Sequence, residues 1–380
     1  KDMALIYFYD PVNVAGVFTK NSFKAAPVLI CQKKINSIKK PTKLALLINS
    51  GCANAGTGKQ GIEDCITSNN FLASSIGLDS NCIFPFSTGV ILEKLPMKNV
   101  LTGIEKLVAN LGYSSWCDAA EAIMTTDKSP KVVSKSIKIF EKKINIQGIA
   151  KGSGMIQPNM ATMLAFIVTD LKISTKDLQL LVNFAASESF NCISVDGETS
   201  TNDSFIAVSN FTSGIYLSSD EKKTYNEWNL FKTAFVEVCK SLAKSIVKDG
   251  EGATKFIEIS VFEANSKSEA SKIGLGVANS PLVKTAFFAS DPNLGRILSA
   301  IGANGDSSLD FSKITVCLND YKAIKNGQLV SDYDEVKAKK VMEQKDINIR
   351  IFLGRGLFKK TFYTCDLSEE YVRINANYRT

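Results

Sequence analysis

Thr162 could act as a nucleophile without help from a histidine. It lies where a polar, glycine-containing stretch meets an apolar run, in "KGSGMIQPNMATMLAFIVTD" (residues 151–170). The chain contains no histidine, so its composition excludes Ser-His-Asp and Cys-His arrangements. A threonine that begins a chain supplies its own base, because its α-amine has a pKa of about 7.7–8.0 and is partly neutral near physiological pH. Cleavage between Ala161 and Thr162 would create such a nucleophile, whereas an uncut Thr162 would be an ordinary β-branched residue at the start of a strand.

The segments around this junction predict mixed helices and strands. "ATMLAFIV" (161–168) is apolar at odd and even positions, which is typical of a strand covered on both faces. "LALLIN" (44–49) predicts a strand that leads into a glycine-rich loop, and apolar residues at every third or fourth position predict a long amphipathic helix over 225–247. We therefore expect an α+β fold, with a catalytic body over residues 1–255 and a smaller C-terminal α/β domain over residues 256–380.

The composition is that of an ordinary soluble globular protein. The chain has 380 residues, of which 45% are hydrophobic and 22% are charged. It has no apolar stretch long enough for a membrane helix and no secretory signal at its start, which predicts a cytoplasmic protein with no membrane partner. An organelle-targeting peptide stays an open alternative, because the sequence begins at Lys1 rather than at methionine.

Charge and cysteine spacing exclude several other classes of partner. The net charge of +7 comes from lysines spread along the whole chain, so no nucleic-acid partner is expected. The nine cysteines form no C-x-x-C pair, which predicts scattered buried thiols in a reducing compartment and no metal site. "GLGVAN" (274–279) lacks the third glycine of a dinucleotide fingerprint, and "DGETSTND" (196–203) lacks EF-hand spacing.

Eight segments, in order along the chain, resemble the ornithine acetyltransferases, also called glutamate N-acetyltransferases (ArgJ type). One short motif would be weak support, whereas eight in the family's order are strong. The segments are "NSGCANAGTGKQG" (49–61), "STGVILEKLP" (87–96), "AIMTTD" (122–127), "AKGSGMIQPNMATMLAF" (150–166), "SFNCISVDGETSTND" (189–203), "KDGEGATK" (248–255), "SPLVKTAFFASDPNLGRI" (280–297) and "CDLSEEYVRINANYRT" (365–380).

The resemblance implies a self-processing α/β/β/α layered body of the DmpA/ArgJ type and a specific reaction. The protein would break its own bond before Thr162, giving an α chain (1–161) and a β chain (from 162) that assemble as an α2β2 heterotetramer. The Thr162 hydroxyl would then move the acetyl group of N2-acetyl-L-ornithine to L-glutamate through an acetyl-threonine ester, in the cyclic pathway of arginine biosynthesis. No cofactor is expected, and acetyl-CoA as a second acetyl donor stays open.

The same resemblance assigns the site residues. Thr88 and Gly89 of "STGV" match the family's oxyanion hole, which without the family match would be interpreted as a turn after a strand. Cys52, Gly56, Gln157 and Leu294 depart from the family's usual residues, which leaves substrate preference more open than reaction type. The positions that match substrate contacts, in addition to Thr162, are Thr125 or Thr126, Lys151, Glu251, Asn375 and Thr380.

Two other functions are compatible with the sequence. An aminopeptidase or amidase on a related self-cleaving scaffold would pass the acyl group to water instead of glutamate. A non-catalytic basic binding protein would not cleave itself at all. A denaturing gel separates the second alternative from the others, because it would show one band near 41.3 kDa rather than two fragments.

Overall fold

The structure is a computed structural model that describes residues 2–157 and 163–377. Contacts divide it into two compact units. The first holds the described residues up to Asn191 together with Glu198–Ile246, and the second holds Cys192–Gly197 together with those from Val247 onward. The functional boundary predicted after residue 255 stays a prediction. Within the described residues, no helix combines the length and the apolar character needed to cross a membrane.

Fifteen strands and eleven α-helices lie in this described part of the chain. The strands are β1 (Met3–Phe18), β2 (Thr42–Asn49), β3 (Ile83–Ser87), β4 (Lys131–Ile139), β5 (Lys142–Lys151), β6 (Leu164–Thr169), β7 (Lys172–Ile173), β8 (Ser204–Ser209), β9 (Tyr216–Leu217), β10 (Phe256–Ala264), β11 (Thr315–Leu318), β12 (Tyr321–Lys325), β13 (Gln328–Leu329), β14 (Asp346–Phe352) and β15 (Phe358–Cys365). The helices are α1 (Ala26–Ser37), α2 (Gly58–Ile76), α3 (Met97–Ala109), α4 (Trp116–Ala122), α5 (Thr175–Glu188), α6 (Tyr225–Lys248), α7 (Lys267–Asn279), α8 (Pro281–Phe288), α9 (Leu294–Asn304), α10 (Glu335–Met342) and α11 (Glu369–Ala376).

The long strand β1 joins two halves of one sheet in the first unit. The strand order among the described residues is β3-β2-β1-β8-β6-β5-β4. Up to Phe8, β1 pairs antiparallel with β2, and from Asn13 it pairs antiparallel with β8, with a register irregularity between the two stretches. The rings of Phe86 on β3 and Phe166 on β6 lie 5.0 Å apart, although three strands separate β3 from β6. The two halves of the sheet therefore face each other.

Helices cover the outer faces of both halves. Leu47 of β2 packs with Leu72 of α2 and Ile104 of α3, on the side away from the shared core. On the opposite half, α5 contacts β1 and β8, and Leu242 of α6 adjoins Ile167 of β6. The first unit is thus an α/β/β/α layered body, and the predicted α+β fold class is confirmed.

The described residues agree with three local predictions and correct part of a fourth. The strands predicted at 44–49 and 161–168 are β2 and β6, the latter described from residue 163 onward, and the helix predicted over 225–247 is α6. Seven of the nine cysteines, all in the described part of the chain, are buried free thiols. The prediction of buried thiols is wrong for Cys117, which is exposed on the short helix α4, and only partly right for half-buried Cys82.

The second unit is a six-stranded sheet backed by helices. Its strand order among the described residues is β13-β12-β11-β14-β10-β15, in which β10 and β14 are parallel. "GLGVAN" lies within α7, and a Cβ on Gly274 would come within 2.5 Å of the Phe362 ring of β15. This glycine therefore serves close packing of a helix on a sheet.

Candidate active site

Two glycine-containing loops meet at the end of β3. Thr88 follows β3 directly and is 3% exposed, and its N–H donates to the Asn49 carbonyl at 3.0 Å. Gly89 has a φ of +133°, and a Cβ there would lie 2.2 Å from the carbonyl carbon of Gly51. Only glycine fits this close approach. The backbone N–H of Gly89 stays the predicted second donor of the oxyanion hole.

Lys151 lies at the centre of the predicted site residues. It is the last residue of β5 and is 2% exposed. Its ammonium donates to the hydroxyl of Thr88 at 3.0 Å and to that of Thr125 at 2.8 Å. Across the sheet it pairs with Leu164, the second residue after Thr162. The antiparallel pairing of β5 with β6 therefore places a buried positive charge beside Thr88 and near the start of β6.

The carboxylate of Asp127 compensates the positive charges of Lys151 and of a second lysine, Lys131. Its carboxylate accepts hydrogen bonds from the ammonium of Lys131 at 2.6 Å and from the N–H of Gly152 at 2.8 Å, with the Lys151 ammonium 3.9 Å away. Burial by itself would raise the pKa of Asp127, but the two lysine charges and these hydrogen bonds together lower it below its ordinary value. Asp127 therefore stays ionised and fixes the backbone directly after Lys151.

Removing the Asp127 charge should strongly destabilise the protein. Asp127→Asn removes the negative charge that the buried ammonium groups of Lys131 and Lys151 share, which should cost about 3–5 kcal/mol in the free energy of unfolding. Urea denaturation of both proteins at pH 7 measures this difference. Because the native pKa of Asp127 is lowered, its contribution is present above the unfolded pKa of about 3.9 and should be lost as the pH falls through the native value.

A matched control is available on the surface. Asp220 pairs with Lys176 at 2.9 Å, and both side chains are more than two-thirds exposed. Asp220→Asn should change stability little, because water screens an exposed pair. An Asp127→Asn protein as stable as the Asp220→Asn protein would contradict the assignment of Asp127 as the buried counter-charge.

The two candidate threonines have different partners. The Thr125 hydroxyl accepts from Lys151, whereas the Thr126 hydroxyl forms a hydrogen bond of 2.6 Å with that of Ser153. Thr125 is thus the threonine linked directly to the Lys151 and Thr88 pair. Which of the two contacts a substrate stays a prediction.

Sequence reasoning missed two neighbouring residues just before β8. The side-chain amide of Asn202 donates to the carbonyls of Ala53 and Ser87, at 2.6 and 2.9 Å, which connects the two glycine-containing loops. Asp203 is completely buried and accepts the N–H of Met163 at 3.0 Å. Both residues stand in the quoted segment 189–203, and their polar side chains directly before a buried strand were the signal that could have identified them.

The second unit holds Glu251 and Asn375 together. The side-chain amide of Asn375 on α11 donates to the carboxylate of Glu251 at 2.8 Å. The loop of Glu251 is fixed by Asp366, which accepts the N–H groups of Thr254 and Lys255 at 2.8 and 2.9 Å. Glu251 is 6% exposed, so it is not the solvated surface charge that its residue type alone would predict.

Three predicted residues lie outside the described part of the chain: Ala161 and Thr162 at the cleavage site, and Thr380. Of the other predicted residues, the first unit brings together Thr88, Gly89, Thr125 and Lys151, while Glu251 and Asn375 belong to the second unit.

In the described residues, no three side chains of the Cys, Asp or Glu type cluster in a way that could hold a metal ion. The expectation that no metal is needed stays a prediction.

Comparison with known proteins identifies the same family. The ArgJ family model matches residues 1–380. The arginine biosynthesis bifunctional protein ArgJ of Colwellia psychrerythraea is 45% identical over 394 residues, covering 100% of this chain and 92% of that protein.

Two solved structures are also similar. One is the arginine biosynthesis bifunctional protein ArgJ of Bacillus halodurans, at 34% identity and a TM-score of 0.52, covering 56% of this chain and 97% of that chain. The other is the ornithine acetyltransferase of Mycobacterium tuberculosis complexed with ornithine, at 31% identity and a TM-score of 0.35, covering 41% of this chain and 82% of that chain. With a family match over its whole length and 45% identity to a relative that it covers almost completely, this chain belongs to the ArgJ family.

Proposed function

We propose that this protein is a self-cleaving glutamate N-acetyltransferase that moves the acetyl group of N2-acetyl-L-ornithine to L-glutamate through an acetyl-Thr162 ester. The observation that carries the proposal is the buried Lys151 ammonium, which joins Thr88 and Thr125 at the end of the sheet where β6 starts just after Thr162. Membership in the ArgJ family supports the reaction class, and the names of the relatives, which include an ornithine acetyltransferase, support the substrate.

Cleavage would be the first reaction of Thr162. Its hydroxyl oxygen attacks the carbonyl carbon of Ala161, the C–N bond to Thr162 breaks, and the nitrogen takes a proton to become the α-amine. Water then hydrolyses the resulting ester, which leaves a carboxylate on Ala161 and a free hydroxyl on Thr162.

The length of a solved relative supports this step. Because the match covers 97% of the Bacillus halodurans chain but 56% of this one, that chain is little more than half as long, close to the 219 residues from Thr162 to the end.

Acetyl transfer would use the same hydroxyl with the new α-amine as its base. The hydroxyl oxygen attacks the acetyl carbonyl, its proton passes through the α-amine to the leaving nitrogen, and ornithine departs. The amine of glutamate then attacks the acetyl ester, and its proton returns through the α-amine to the threonine oxygen. Each attack places negative charge on a carbonyl oxygen, which the Gly89 N–H and the Thr88 hydroxyl would stabilise by hydrogen bonds.

The positive charge of Lys151 would influence both the oxyanion donor Thr88 and the α-amine of Thr162. Its ammonium donates to the Thr88 hydroxyl, so it polarises the donor that faces the oxyanion. A buried cation near the α-amine would also lower the pKa of that amine by repulsion, which favours the neutral form that acts as a base. In the second unit, Glu251 with Asn375 would bind the ammonium groups of the amino-acid substrates.

The test of this function is the dependence of ornithine release on glutamate. With N2-acetyl-L-ornithine alone, the wild-type protein should release at most one ornithine per site, because the acetyl ester lacks its acceptor. Adding L-glutamate should give steady turnover and an equal amount of N-acetylglutamate, measured by liquid chromatography with mass spectrometry. Steady ornithine release without glutamate would instead identify an amidase that uses water, and would overturn the proposed function.

We extend the proposal to the assembly and the setting of the enzyme. The strand β6 begins directly after the cut and lies between β5 and β8, so the α and β chains would share one core and stay associated after cleavage. We propose an α2β2 heterotetramer in the cytoplasm, with acetyl-CoA as a second acetyl donor in line with the bifunctional relatives. Native mass spectrometry of the purified protein tests the assembly, and glutamate acetylation with acetyl-CoA alone tests the second donor.

A further inference from the structure

The peptide group that precedes Thr88 is held on both of its sides. Its N–H, which belongs to Thr88, donates to the Asn49 carbonyl at 3.0 Å. Its carbonyl, which belongs to Ser87, accepts a hydrogen bond from the side-chain amide of Asn202 at 2.9 Å. The N–H and the carbonyl of a planar trans peptide point in opposite directions, so these two hydrogen bonds fix the orientation of the plane. The direction in which the Thr88 side chain leaves the backbone is therefore set by its neighbours.

The amide of Asn202 also holds the other glycine-containing loop. Its nitrogen donates to the Ala53 carbonyl at 2.6 Å. The two loops pair through their backbones, because the N–H of Val90 donates to the Gly51 carbonyl at 3.1 Å and that of Ala53 donates to the Val90 carbonyl at 2.9 Å. One side chain thus connects both loops directly beside Thr88.

The orientation of this amide is defined by its partners. Asn202 is 5% exposed, and its side-chain oxygen accepts a hydrogen bond from the hydroxyl of Thr201. The other end of the amide faces two carbonyls, so it must be the nitrogen, which carries two hydrogens. The segment is itself fixed, since the N–H of Asn202 donates to the Ser200 hydroxyl at 3.1 Å and the Thr201 carbonyl accepts the N–H of Ala25 at 3.0 Å.

We propose that Asn202 is a positioning residue for the oxyanion hole, because its amide fixes the peptide group that aims the Thr88 hydroxyl at the developing negative charge. This inference rests on the proposed function, in which Thr88 is an oxyanion donor. Asn202 touches no reacting atom. A donor aimed at an oxygen of the transition state loses much of its effect when it is displaced by about 1 Å, which can lower a rate by about 10²-fold.

Lys151 fixes the other end of the same threonine. Its ammonium donates to the Thr88 hydroxyl at 3.0 Å, so the oxygen of that hydroxyl is held while Asn202 holds the backbone. An ammonium has no acceptor, so the hydroxyl must donate its own hydrogen elsewhere. Because an oxyanion exists only in the transition state, moving Thr88 should lower the rate of acyl transfer more than it weakens substrate binding.

The experiment compares Asn202→Ala with a matched control, Asn13→Ala. Asn13 on β1 is also a buried asparagine of the first unit, and its side-chain amide donates to a distant backbone carbonyl, that of Ile173, at 2.7 Å. The α and β chains are expressed together as separate polypeptides, so that an effect on self-cleavage does not enter the result. The quantities measured are kcat, the KM values for N2-acetyl-L-ornithine and L-glutamate, and the urea midpoint.

We expect Asn202→Ala to lower kcat at least about tenfold, while both KM values change less than about threefold. Asn13→Ala should keep kcat within about twofold of the wild-type value. Both variants lose a buried hydrogen-bond donor, so both should have a lower urea midpoint. A loss of stability is therefore common to the two variants, and only Asn202→Ala should lose kcat. An Asn202→Ala enzyme with the wild-type kcat, or with a raised KM and an unchanged kcat, would overturn the inference.

A double-mutant cycle tests whether Asn202 acts through Thr88. In a Thr88→Ala background the hydroxyl is already absent, so adding Asn202→Ala should lower kcat by less than about threefold further. Equal fold-changes in the wild-type and Thr88→Ala backgrounds would show that Asn202 acts independently of Thr88, and the inference would be wrong.

Thr201→Val decides the question if Asn202→Ala does not assemble. Valine keeps the shape of threonine but removes the hydroxyl that orients the Asn202 amide. This variant should lower kcat about three- to tenfold with little change in KM, and a wild-type kcat would overturn the inference. A wild-type protein that does not transfer acetyl groups to L-glutamate refutes the proposed function. Normal transfer by the wild type together with an unchanged kcat in these variants refutes the positioning role alone.

Discussion

Thr162→Ala should remain a single chain of 41 kDa and should have no acetyltransferase activity. Both losses have one cause, because the proposed mechanism uses the same hydroxyl to attack the Ala161 carbonyl and later the acetyl group. Loss of a residue that forms the covalent intermediate should lower kcat below the detection limit, as when a triad nucleophile is removed, at a cost of about 10⁶-fold. Intact mass spectrometry and the ornithine-release assay measure the two effects.

Thr162→Ser is the control for this experiment. Serine keeps a hydroxyl and an α-amine at the same position, so this variant should still cleave and should keep measurable transfer. An intact wild-type chain with full transferase activity would show that the nucleophile is another residue.

Thr88→Ala should lower kcat by about 10²–10³-fold with a modest change in KM. An oxyanion hole binds charge that develops only in the transition state, and removal of one donor costs roughly 2.7–4 kcal/mol. The variant also removes an acceptor of the Lys151 ammonium, which leaves Thr125 as its hydroxyl partner at 2.8 Å. Steady-state kinetics should be measured on α and β chains expressed together as separate polypeptides, because the same donors would serve self-cleavage.

Thr88→Ser supplies the matched control, since it keeps the hydroxyl and should retain most of the wild-type kcat. A Thr88→Ala enzyme whose KM rises sharply while kcat holds would place Thr88 in the substrate pocket rather than in the oxyanion hole.

Local sequence signals were enough to predict the elements that carry the site. The apolar run that contains β6 is apolar at odd and even positions, and Met163–Ile167 are all buried, as a strand covered on both faces requires. The spacing of apolar residues predicted α6, and a glycine in "STGV" predicted a turn that lies next to Gly51. Such signals are local, because backbone periodicity and glycine conformations depend on neighbouring residues.

The partners of the site residues could not be predicted from local signals. Lys151 and Thr88 are 63 positions apart in the chain, and Met163 and Asp203 are 40 apart. The first contact exists because β1 changes partners between β2 and β8, which folds one half of the sheet over the other. The second exists because β6 pairs with β8 in the same half. Residue types alone also favoured solvated positions for Lys151 and Glu251, and both are buried.

The sequence by itself determined the reaction class: the absence of histidine excluded the usual bases, and eight ordered segments identified the family and the threonine that would replace them. The tertiary structure decided which charges act together. Asp127, Lys131 and Lys151 form one buried network, and Asp203 lies against the amide that follows Thr162. Buried charges require partners at a few ångströms, and only the folded sheet brings residues from distant parts of the chain to that distance.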